Sequence, residues 1–339
     1  MTPIPPSLTE SLSPTKRVAI IEVGSRAVRL LVADVSAEAG LKVIMTRAAQ
    51  VGLIRAVQAG PAALDRTLDK IQSHISEFRD VVACLENPPD RVLTVGTAAV
   101  RLVAASGGRD TDSRLSGIDV VGNEQEALCS LYAAIIGTKR ESDQSQVVLV
   151  IDQGGGSTEI ALGRGPTPTL ELINSASIDI GHEKLVKMLH AVDFNMNAFR
   201  LKLTESIDVA NIKYQAVDRA FVLGSCATKY AWIKIRKNEK HIYEPNLVHD
   251  SAFSVKTIIS EMKQINKIPK ASWPAMRAFT EPRDPSGTEF DMVVTGMIMI
   301  SALCERFGVK EFAVSSLGTR HGLAWILAMR PTLLDMDSG

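Results

Sequence analysis

The hydrophobic pattern is most distinctive at residues 147–162, where an unbroken aliphatic run is followed by an acid, three glycines and a second apolar run. Five consecutive aliphatic residues, 147–151, are typical of a strand that is buried on both faces. Asp152 ends this strand, and the Gly-Gly-Gly-Ser sequence of residues 154–157 leads into the next one. The pattern therefore predicts two strands joined by a glycine-rich turn.

A weaker copy of this pattern lies near the N-terminus, at residues 18–35. Glu22 occupies the position of Asp152, and Gly24 occupies that of Gly154, again between two apolar runs. Two such units far apart in one chain indicate a duplicated domain. We therefore expect each half of the chain to present one glycine loop to a shared cleft.

Elsewhere, short apolar runs alternate with stretches that have helical periodicity. Strands are predicted at residues 91–96, 118–121, 220–223 and 311–315, and helices at 61–78, 123–135, 292–307 and 323–329. Pro61 stands at the start of its helix, where its missing N–H group costs nothing. The alternation of strands and helices predicts an α/β fold class.

Composition excludes some classes of partner. Among 339 residues, 38 Lys and Arg balance 38 Asp and Glu, so no net field attracts the chain to DNA or to an anionic membrane. No apolar run approaches the roughly 20 residues of a membrane span, and residues 1–15 lack the apolar core of a signal peptide. The cysteines have no metal-ligand spacing, so we expect buried free thiols at Cys84, Cys129, Cys226 and Cys304. These features together predict a cytoplasmic protein.

The glycine loops suit a phosphate ligand, because glycine lets backbone N–H groups approach closely. The residues expected to bind phosphate are Gly24, Ser25, Gly154, Gly155, Gly156 and Ser157. Asp152 is anionic like phosphate, so its expected role is to hold a metal ion or to polarise a water molecule. A plain glycine-rich hairpin turn is the alternative interpretation.

Three more side chains are candidates for phosphate chemistry. Arg101 lies in the first turn predicted after strand 91–96, where its guanidinium group can bind phosphate in bidentate fashion. The alternative is a solvated arginine on a helix face. Glu124 and Glu126 open the helix that Asn123 is expected to cap. Both carboxylates also suit the helix dipole, so a capping role competes with a catalytic one.

From about residue 18 to 329, the chain resembles the exopolyphosphatase / guanosine pentaphosphate phosphohydrolase (Ppx/GppA) family. Residues 150–159 resemble the second phosphate loop of that family without a departure, and residues 97–101 resemble the stretch whose arginine contacts phosphate. Residues 124–127 resemble the segment that carries the catalytic base, and Glu126 is the matching position. Further landmarks are matched at residues 248–249, 291–296 and 317–322.

The resemblance implies two actin-like (ASKHA, ribonuclease H-like) α/β domains with an interdomain cleft. It places domain I at residues 16–139, with the C-terminal helix 320–339 packing back on it, and domain II at 140–319. Residues 1–15 are then a disordered tail. A homodimer is also implied.

The first loop departs from the family's usual Asp-x-Gly-Ser-Asn-Ser pattern. Glu22 replaces the aspartate, Arg26 the asparagine and Ala27 the second serine. Glu22 keeps the carboxylate but reaches one methylene further, which would move a bound metal ion. Arg26 either adds a phosphate contact or fills the site.

The resemblance implies hydrolysis of the terminal phosphoanhydride bond of inorganic polyphosphate, with Mg²⁺ held by Glu22 and Asp152. Its catalytic residues would be Glu126 as general base together with Asp152, Glu159 and Arg101. The alternative substrate is guanosine pentaphosphate (pppGpp), and the alternative class is a non-catalytic sensor of (p)ppGpp or another nucleotide. A polymer would need a basic groove, for which the candidates are Arg26, Arg29, Lys229, Lys234, Arg236 and Lys237.

Overall fold

Eleven strands in the described part of the chain form two mixed β-sheets. The computed structural model describes residues 15–105, 113–138, 146–166, 169–210, 212–235, 244–265 and 288–334. The strands are β1 (Lys16–Val23), β2 (Ala27–Ser36), β3 (Gly40–Gln50), β4 (Arg91–Gly96), β5 (Asp119–Val120), β6 (Val147–Gln153), β7 (Thr158–Arg164), β8 (Glu171–Ile178), β9 (Arg219–Leu223), β10 (Ser251–Ser254) and β11 (Glu311–Val314).

The helices lie between and after these strands, which confirms the predicted α/β class. They are α1 (Leu53–Ala59), α2 (Pro61–Ala83), α3 (Ala98–Val103), α4 (Asn123–Ile136), α5 (His182–Ala191), α6 (Met196–Val209), α7 (Ser225–Ile235), α8 (Val255–Ile265), α9 (Thr288–Arg306) and α10 (Thr319–Met329). No helix of the described residues is both long enough and apolar enough to cross a membrane.

The two sheets repeat one topology. The first has the order β3-β2-β1-β4-β5, in which β1 to β3 form an antiparallel meander while β4 and β5 run parallel to β1. The second has the order β8-β7-β6-β9-β11-β10, with the same meander and the same parallel neighbours, extended by β10. We call the parts built on these sheets lobe I and lobe II. The repeated strand order agrees with the duplication expected from the two glycine loops.

Helices α4 and α10 pack together in the middle of the molecule. Their apolar residues share one core with residues of both sheets, such as Ile20 of β1 and Val150 of β6. Helix α10 also contacts β1 and β2 of lobe I. Gly322 of α10 lies against the backbone carbonyl of Cys129 in α4, so closely that a Cβ atom would overlap that oxygen. Only glycine permits this approach.

Two sequence expectations were wrong. Asn123 does not cap α4, because the N-cap residue is Gly122, whose N–H group donates a hydrogen bond to Oε1 of Gln125 at 3.1 Å. Cys84 is exposed, because it follows α2 at a turn on the surface, although the other three cysteines are buried free thiols.

Three other expectations concern parts of the chain that are only partly described. The tail at residues 1–15 and the C-terminal residues 335–339 lie outside the described part, apart from residue 15. The domain boundary at 139/140 also falls there and stays a prediction. Residues 320–334 are described, and α10 contacts lobe I as given above.

Candidate active site

Each glycine loop follows the central strand of its sheet. Glu22 and Asp152 occupy matching positions near the ends of β1 and β6. In the antiparallel register Glu22 is opposite Arg29, whereas Asp152 is opposite Glu159. The duplicated plan therefore pairs an acid with a base in lobe I and two acids in lobe II.

The two loops lie directly against each other. A Cβ atom on Gly156 would stand 3.2 Å from Oγ of Ser25, and one on Gly155 would stand 3.2 Å from Cβ of Ser25 and 3.6 Å from Cγ of Arg26. Side-chain atoms in the second loop would therefore collide with the first loop. The gap between the two loops is narrow at this point. Because glycine has no side chain, a ligand that binds to the backbone N–H groups can still enter this gap.

Helix α5 fixes the orientation of the second loop. The N–H groups of Gly181, His182 and Glu183 donate to the carbonyl oxygens of residues 156, 154 and 155, at 2.9, 3.0 and 3.2 Å. In a trans peptide the carbonyl and the next N–H group point in opposite directions. The N–H groups of residues 155, 156 and 157 therefore point away from α5. Three such N–H groups in succession make a concavity suited to an anion.

Not every predicted phosphate donor is available. The N–H group of Gly154 donates to the carbonyl of Ser157 at 2.9 Å, and that of Gly24 donates to the carbonyl of Ala27 at 3.0 Å. Both bonds close the hairpin turns, so these two groups are already used. The Ser157 hydroxyl is hydrogen-bonded to Glu159. In the second loop, the backbone N–H groups that could donate to an anion are therefore those of residues 155–157.

Glu126 occupies the first turn of α4 and faces the interior, whereas Glu124 on the same turn is exposed. Nη1 of Arg101 lies 2.6 Å from Oε2 of Glu126 and also donates to the carbonyl of Val121 at 2.7 Å. Burial raises the pKa of Glu126 to about 7, and Arg101 opposes this effect while Asp152 and Glu22 add to it. A carboxylate with this pKa can accept a proton near neutral pH.

Asp152 is held by two hydroxyl groups that the sequence reasoning missed. Oγ of Ser130 donates to Oδ2 of Asp152 at 2.6 Å, and Oγ1 of Thr319 reaches the same oxygen at 3.2 Å. Burial raises the pKa of Asp152, and these two hydrogen bonds oppose the shift. Ser130 lies four residues after Glu126, so helical spacing alone places both on one face of α4. That spacing was an available signal.

Glu159 completes a buried acid cluster with Glu22, Glu126 and Asp152. It accepts a hydrogen bond from Oγ of Ser177 at 3.2 Å. Burial, followed by the charges of Glu126 and Asp152, raises the pKa of Glu159 well above its usual value. The nearby cations are Arg101, Arg29 and Arg320, and the last two have Nη1 atoms 3.9 and 3.7 Å from Oε2 of Glu22.

The chemistry of this cluster fits Mg²⁺, which prefers carboxylate, phosphate and water oxygens. Within the described ranges, however, no three side chains of His, Cys, Asp or Glu come together as a ready metal-binding set. The fit is therefore to an ion bound through one or two carboxylates, with water and substrate oxygens completing its shell, as is usual for Mg²⁺.

Of the candidates for a basic groove, Arg26, Arg29 and Lys229 all carry charge close to His182, beside the second loop. Lys234 instead pairs with Glu261 on α8 and stacks over Tyr230 at 5.9 Å. It is therefore engaged within lobe II. Arg236 and Lys237 lie outside the described residues.

The fold and site define a class: a two-lobed, actin-like α/β protein whose facing glycine loops lie beside a buried acid cluster. The model of the Ppx/GppA phosphatase family matches residues 31–329. The chain belongs to this family.

Solved structures share the fold along almost the whole chain. A Ppx/GppA enzyme from Aquifex aeolicus is 22% identical, with 91% of this chain and 99% of that chain covered and a TM-score of 0.70. An exopolyphosphatase-like protein is 21% identical, with 94% and 99% covered and a TM-score of 0.72. An exopolyphosphatase from Cytophaga hutchinsonii is 18% identical, with 92% and 98% covered and a TM-score of 0.66.

Proposed function

We propose that the protein hydrolyses the terminal phosphoanhydride bond of inorganic polyphosphate, with Glu126 as the general base. The observation that carries this proposal is the placement of Glu126, a buried carboxylate paired with Arg101 and electrostatically coupled to Asp152, Glu159 and Glu22. A capping role would leave the carboxylate at the surface, as it leaves Glu124.

In this proposal the terminal phosphoryl group is bound by the N–H groups of residues 155–157, together with Ser25 of the facing loop and the guanidinium group of Arg101. Phosphoryl transfer depends mainly on positioning and on neutralising charge. Backbone N–H groups on a loop fixed by α5 meet the first requirement, since they need no rearrangement when the ligand arrives.

Glu126 acts on the attacking water molecule. Its Oε2 atom is held by Arg101, so Oε1 accepts the proton as the water oxygen bonds to the terminal phosphorus. The bridging P–O bond breaks, and the shortened chain leaves with that oxygen and its negative charge. The products are orthophosphate and a polyphosphate one unit shorter.

Asp152 and Glu22 are the residues that would hold Mg²⁺, while Glu159 supports the cluster from β7. When bound, the ion neutralises charge on the phosphoryl oxygens, which an acid-rich site could not otherwise accept. The hydroxyl groups of Ser130 and Thr319 orient Asp152 for this role.

The test is phosphate release from polyphosphate in the presence and absence of Mg²⁺ by wild-type protein and Glu126→Gln. We expect the substitution to lower the rate by about 10²-fold or more, the usual scale for loss of a general base. Glu124→Gln, on the same helical turn, is the matched control and should retain activity. A Glu126→Gln protein that works at the wild-type rate removes Glu126 from this role. Parallel assays with pppGpp distinguish the two substrates.

A second candidate, a non-catalytic sensor of (p)ppGpp or another nucleotide, is favoured by one observation. Arg29 and Arg320 both approach Glu22, so cations already neutralise the acid that would help to hold Mg²⁺. Calorimetric binding of pppGpp without phosphate release from any substrate would support the sensor, whereas Mg²⁺-dependent release supports the hydrolase.

A further inference from the structure

A second charged cluster lies at the mouth of the cleft and is not used in the mechanism above. The Nε atom of Arg26 in the first loop lies 3.8 Å from Oε1 of Glu183, and the Nε atom of Arg55 in α1 lies 3.7 Å from Oε2 of the same carboxylate. Both arginines belong to lobe I and Glu183 belongs to α5 of lobe II. One carboxylate therefore stands between two guanidinium groups across the cleft.

Glu183 is largely enclosed, and one of its carboxylate oxygens lacks a hydrogen-bond donor within the described part of the chain. Its side chain is only 9% exposed, and its Oε1 atom has no hydrogen-bond donor among the described residues. Separations of 3.7–3.8 Å are about 1 Å longer than a charge-assisted hydrogen bond between a guanidinium group and a carboxylate. A buried carboxylate oxygen without a hydrogen-bond donor raises the free energy of the folded state. Another anion can therefore readily replace the Glu183 carboxylate between the two arginines.

The surroundings are rich in positive charge. His182, which precedes Glu183, is buried, and burial together with the charges of Arg26, Lys229, Arg29 and Arg55 lowers its pKa to about 3. His182 is therefore neutral at physiological pH and adds no positive charge of its own. Glu183 is thus one negative charge facing several positive ones.

The cluster adjoins the second glycine loop. Both Cγ of Arg26 and Nε2 of His182 would lie 3.6 Å from a Cβ atom on Gly155. A chain whose terminal phosphate occupies the N–H groups of residues 155–157 would therefore pass its next phosphates close to these cations. A hydrogen bond between Lys187 of α5 and Gln58 of α1 crosses the cleft beside them.

We propose that Arg26 and Arg55 form a second anion subsite at the cleft mouth, and that Glu183 occupies it until an inner phosphate of a polyphosphate chain displaces the carboxylate. The substrate class is a linear polyphosphate of at least three units. This proposal rests on the proposed function for the position of the terminal phosphate. Arg26 is a departure from the usual loop pattern, so the subsite is a property of this chain's own sequence.

The test is calorimetric binding of tripolyphosphate and of orthophosphate, without divalent metal, to the full-length protein and its variants. Glu183→Gln should tighten tripolyphosphate binding by about 10-fold, because it frees two guanidinium groups for charge-assisted bonds. Glu205→Gln, which removes an exposed charge on α6 of the same lobe, is the matched control and should leave affinity unchanged. Arg55→Gln should weaken tripolyphosphate binding by about 5-fold or more while leaving orthophosphate binding intact. Arg66→Gln, an exposed arginine on α2, is its control.

Two outcomes would overturn the subsite. If the Glu183 carboxylate only holds the lobes together, Glu183→Gln leaves tripolyphosphate affinity unchanged or weaker. If Arg55 acts only through long-range electrostatic attraction, Arg55→Gln weakens the binding of tripolyphosphate and of orthophosphate equally. Because the binding assay needs no hydrolysis, a protein that releases no phosphate but shows the expected pattern retains the subsite and loses only the proposed reaction.

Discussion

Nη1 of Arg101 lies 2.6 Å from Oε2 of Glu126 and 2.7 Å from the carbonyl oxygen of Val121. The guanidinium group of Arg101 is thereby anchored to the segment just before α4 while it contacts Glu126. Burial raises the pKa of Glu126, and Arg101 is the largest opposing influence. Burial and Arg101 together therefore set the pH range in which the carboxylate of Glu126 is ionised.

Replacing Arg101 should alter both the rate and its pH dependence. In Arg101→Gln the positive charge is lost, so the pKa of Glu126 should rise further and the acidic limb of the pH–rate profile should move up by about 1 unit or more. Loss of the phosphate contact should lower kcat/KM by about 10²–10³-fold. The measurement is phosphate release from polyphosphate across the neutral range.

Arg101→Lys is the control for charge. Lysine keeps a positive charge near Glu126 but lacks the planar guanidinium group that binds phosphate in bidentate fashion. The acidic limb of the pH–rate profile should therefore return close to its wild-type position, while kcat/KM should recover little. An acidic limb that stays in place in Arg101→Gln would show that Glu126 is not the group whose ionisation controls the reaction.

The raised pKa of Glu126 also predicts an effect on stability. Its ordinary pKa is 4.5 and its folded value is about 7, so the folded state holds the proton more tightly than the unfolded chain. Protonated Glu126 therefore adds to the free energy of unfolding fully below pH 4.5. This stabilisation, on the order of 3 kcal/mol, is lost as the pH rises through 7.

Glu126→Gln mimics the protonated side chain and should remove this loss. Urea denaturation without divalent metal should show similar stability of wild type and variant at about pH 5, and a more stable variant at about pH 8. Glu124→Gln, on the exposed side of the same turn, should show no such divergence. Parallel wild-type and Glu126→Gln curves at both pH values would mean that the pKa of Glu126 is not raised on folding.

The local features of the site could be predicted from the sequence because each depends on a few consecutive residues. An aliphatic run that ends in Asp152 and three glycines has few structural interpretations. The similar pattern around Glu22 suggested the duplicated topology that the two sheets show. What the sequence did not indicate was which N–H groups remain available, since Gly24 and Gly154 use theirs to close the turns. The direction of the remaining N–H groups in the second loop depends on α5, which comes more than twenty residues after that loop.

Residues that act through long-range packing were also missed. Thr319 and Arg320 reach the site because α10 returns from the C-terminus to pack on α4. Glu183 meets Arg26 and Arg55 only because the two lobes face each other. No local pattern encodes such contacts, whereas Ser130 could have been found from its helical spacing to Glu126.

The support that Ser130 gives to Asp152 can be tested by removing its hydroxyl group. Ser130→Ala leaves a buried carboxylate with one donor fewer, which should cost about 1–3 kcal/mol in the free energy of unfolding at neutral pH. Thr319→Val removes the other donor to the same oxygen. Because the hydroxyl groups of Ser130 and Thr319 share Asp152 and lie 3.2 Å apart, the two losses should be non-additive in a double-mutant cycle. Additive losses, measured by urea denaturation, would show that the two hydroxyl groups support Asp152 independently.

The packing of α5 against the second loop predicts a steric effect at Gly181. Its backbone is extended, with φ of −102°, so alanine is not strained by the backbone conformation itself. However, a Cβ atom would stand 2.5 Å from the backbone nitrogen of Gly156. Gly181→Ala must therefore push the loop away from α5, and overpacking of this kind costs about 1–3 kcal/mol.

The displaced loop should also bind phosphate less well, because its N–H groups lose the orientation that α5 imposes. We expect the affinity of Gly181→Ala for orthophosphate to fall by about 10-fold, measured by calorimetry. Gly122→Ala is the matched control, since it too lies at a helix N-cap but its Cβ atom would meet only Oε1 of Gln125, at 3.7 Å. A destabilised Gly181→Ala protein that binds orthophosphate normally would separate the fold of this loop from anion binding and would place the phosphate elsewhere in the cleft.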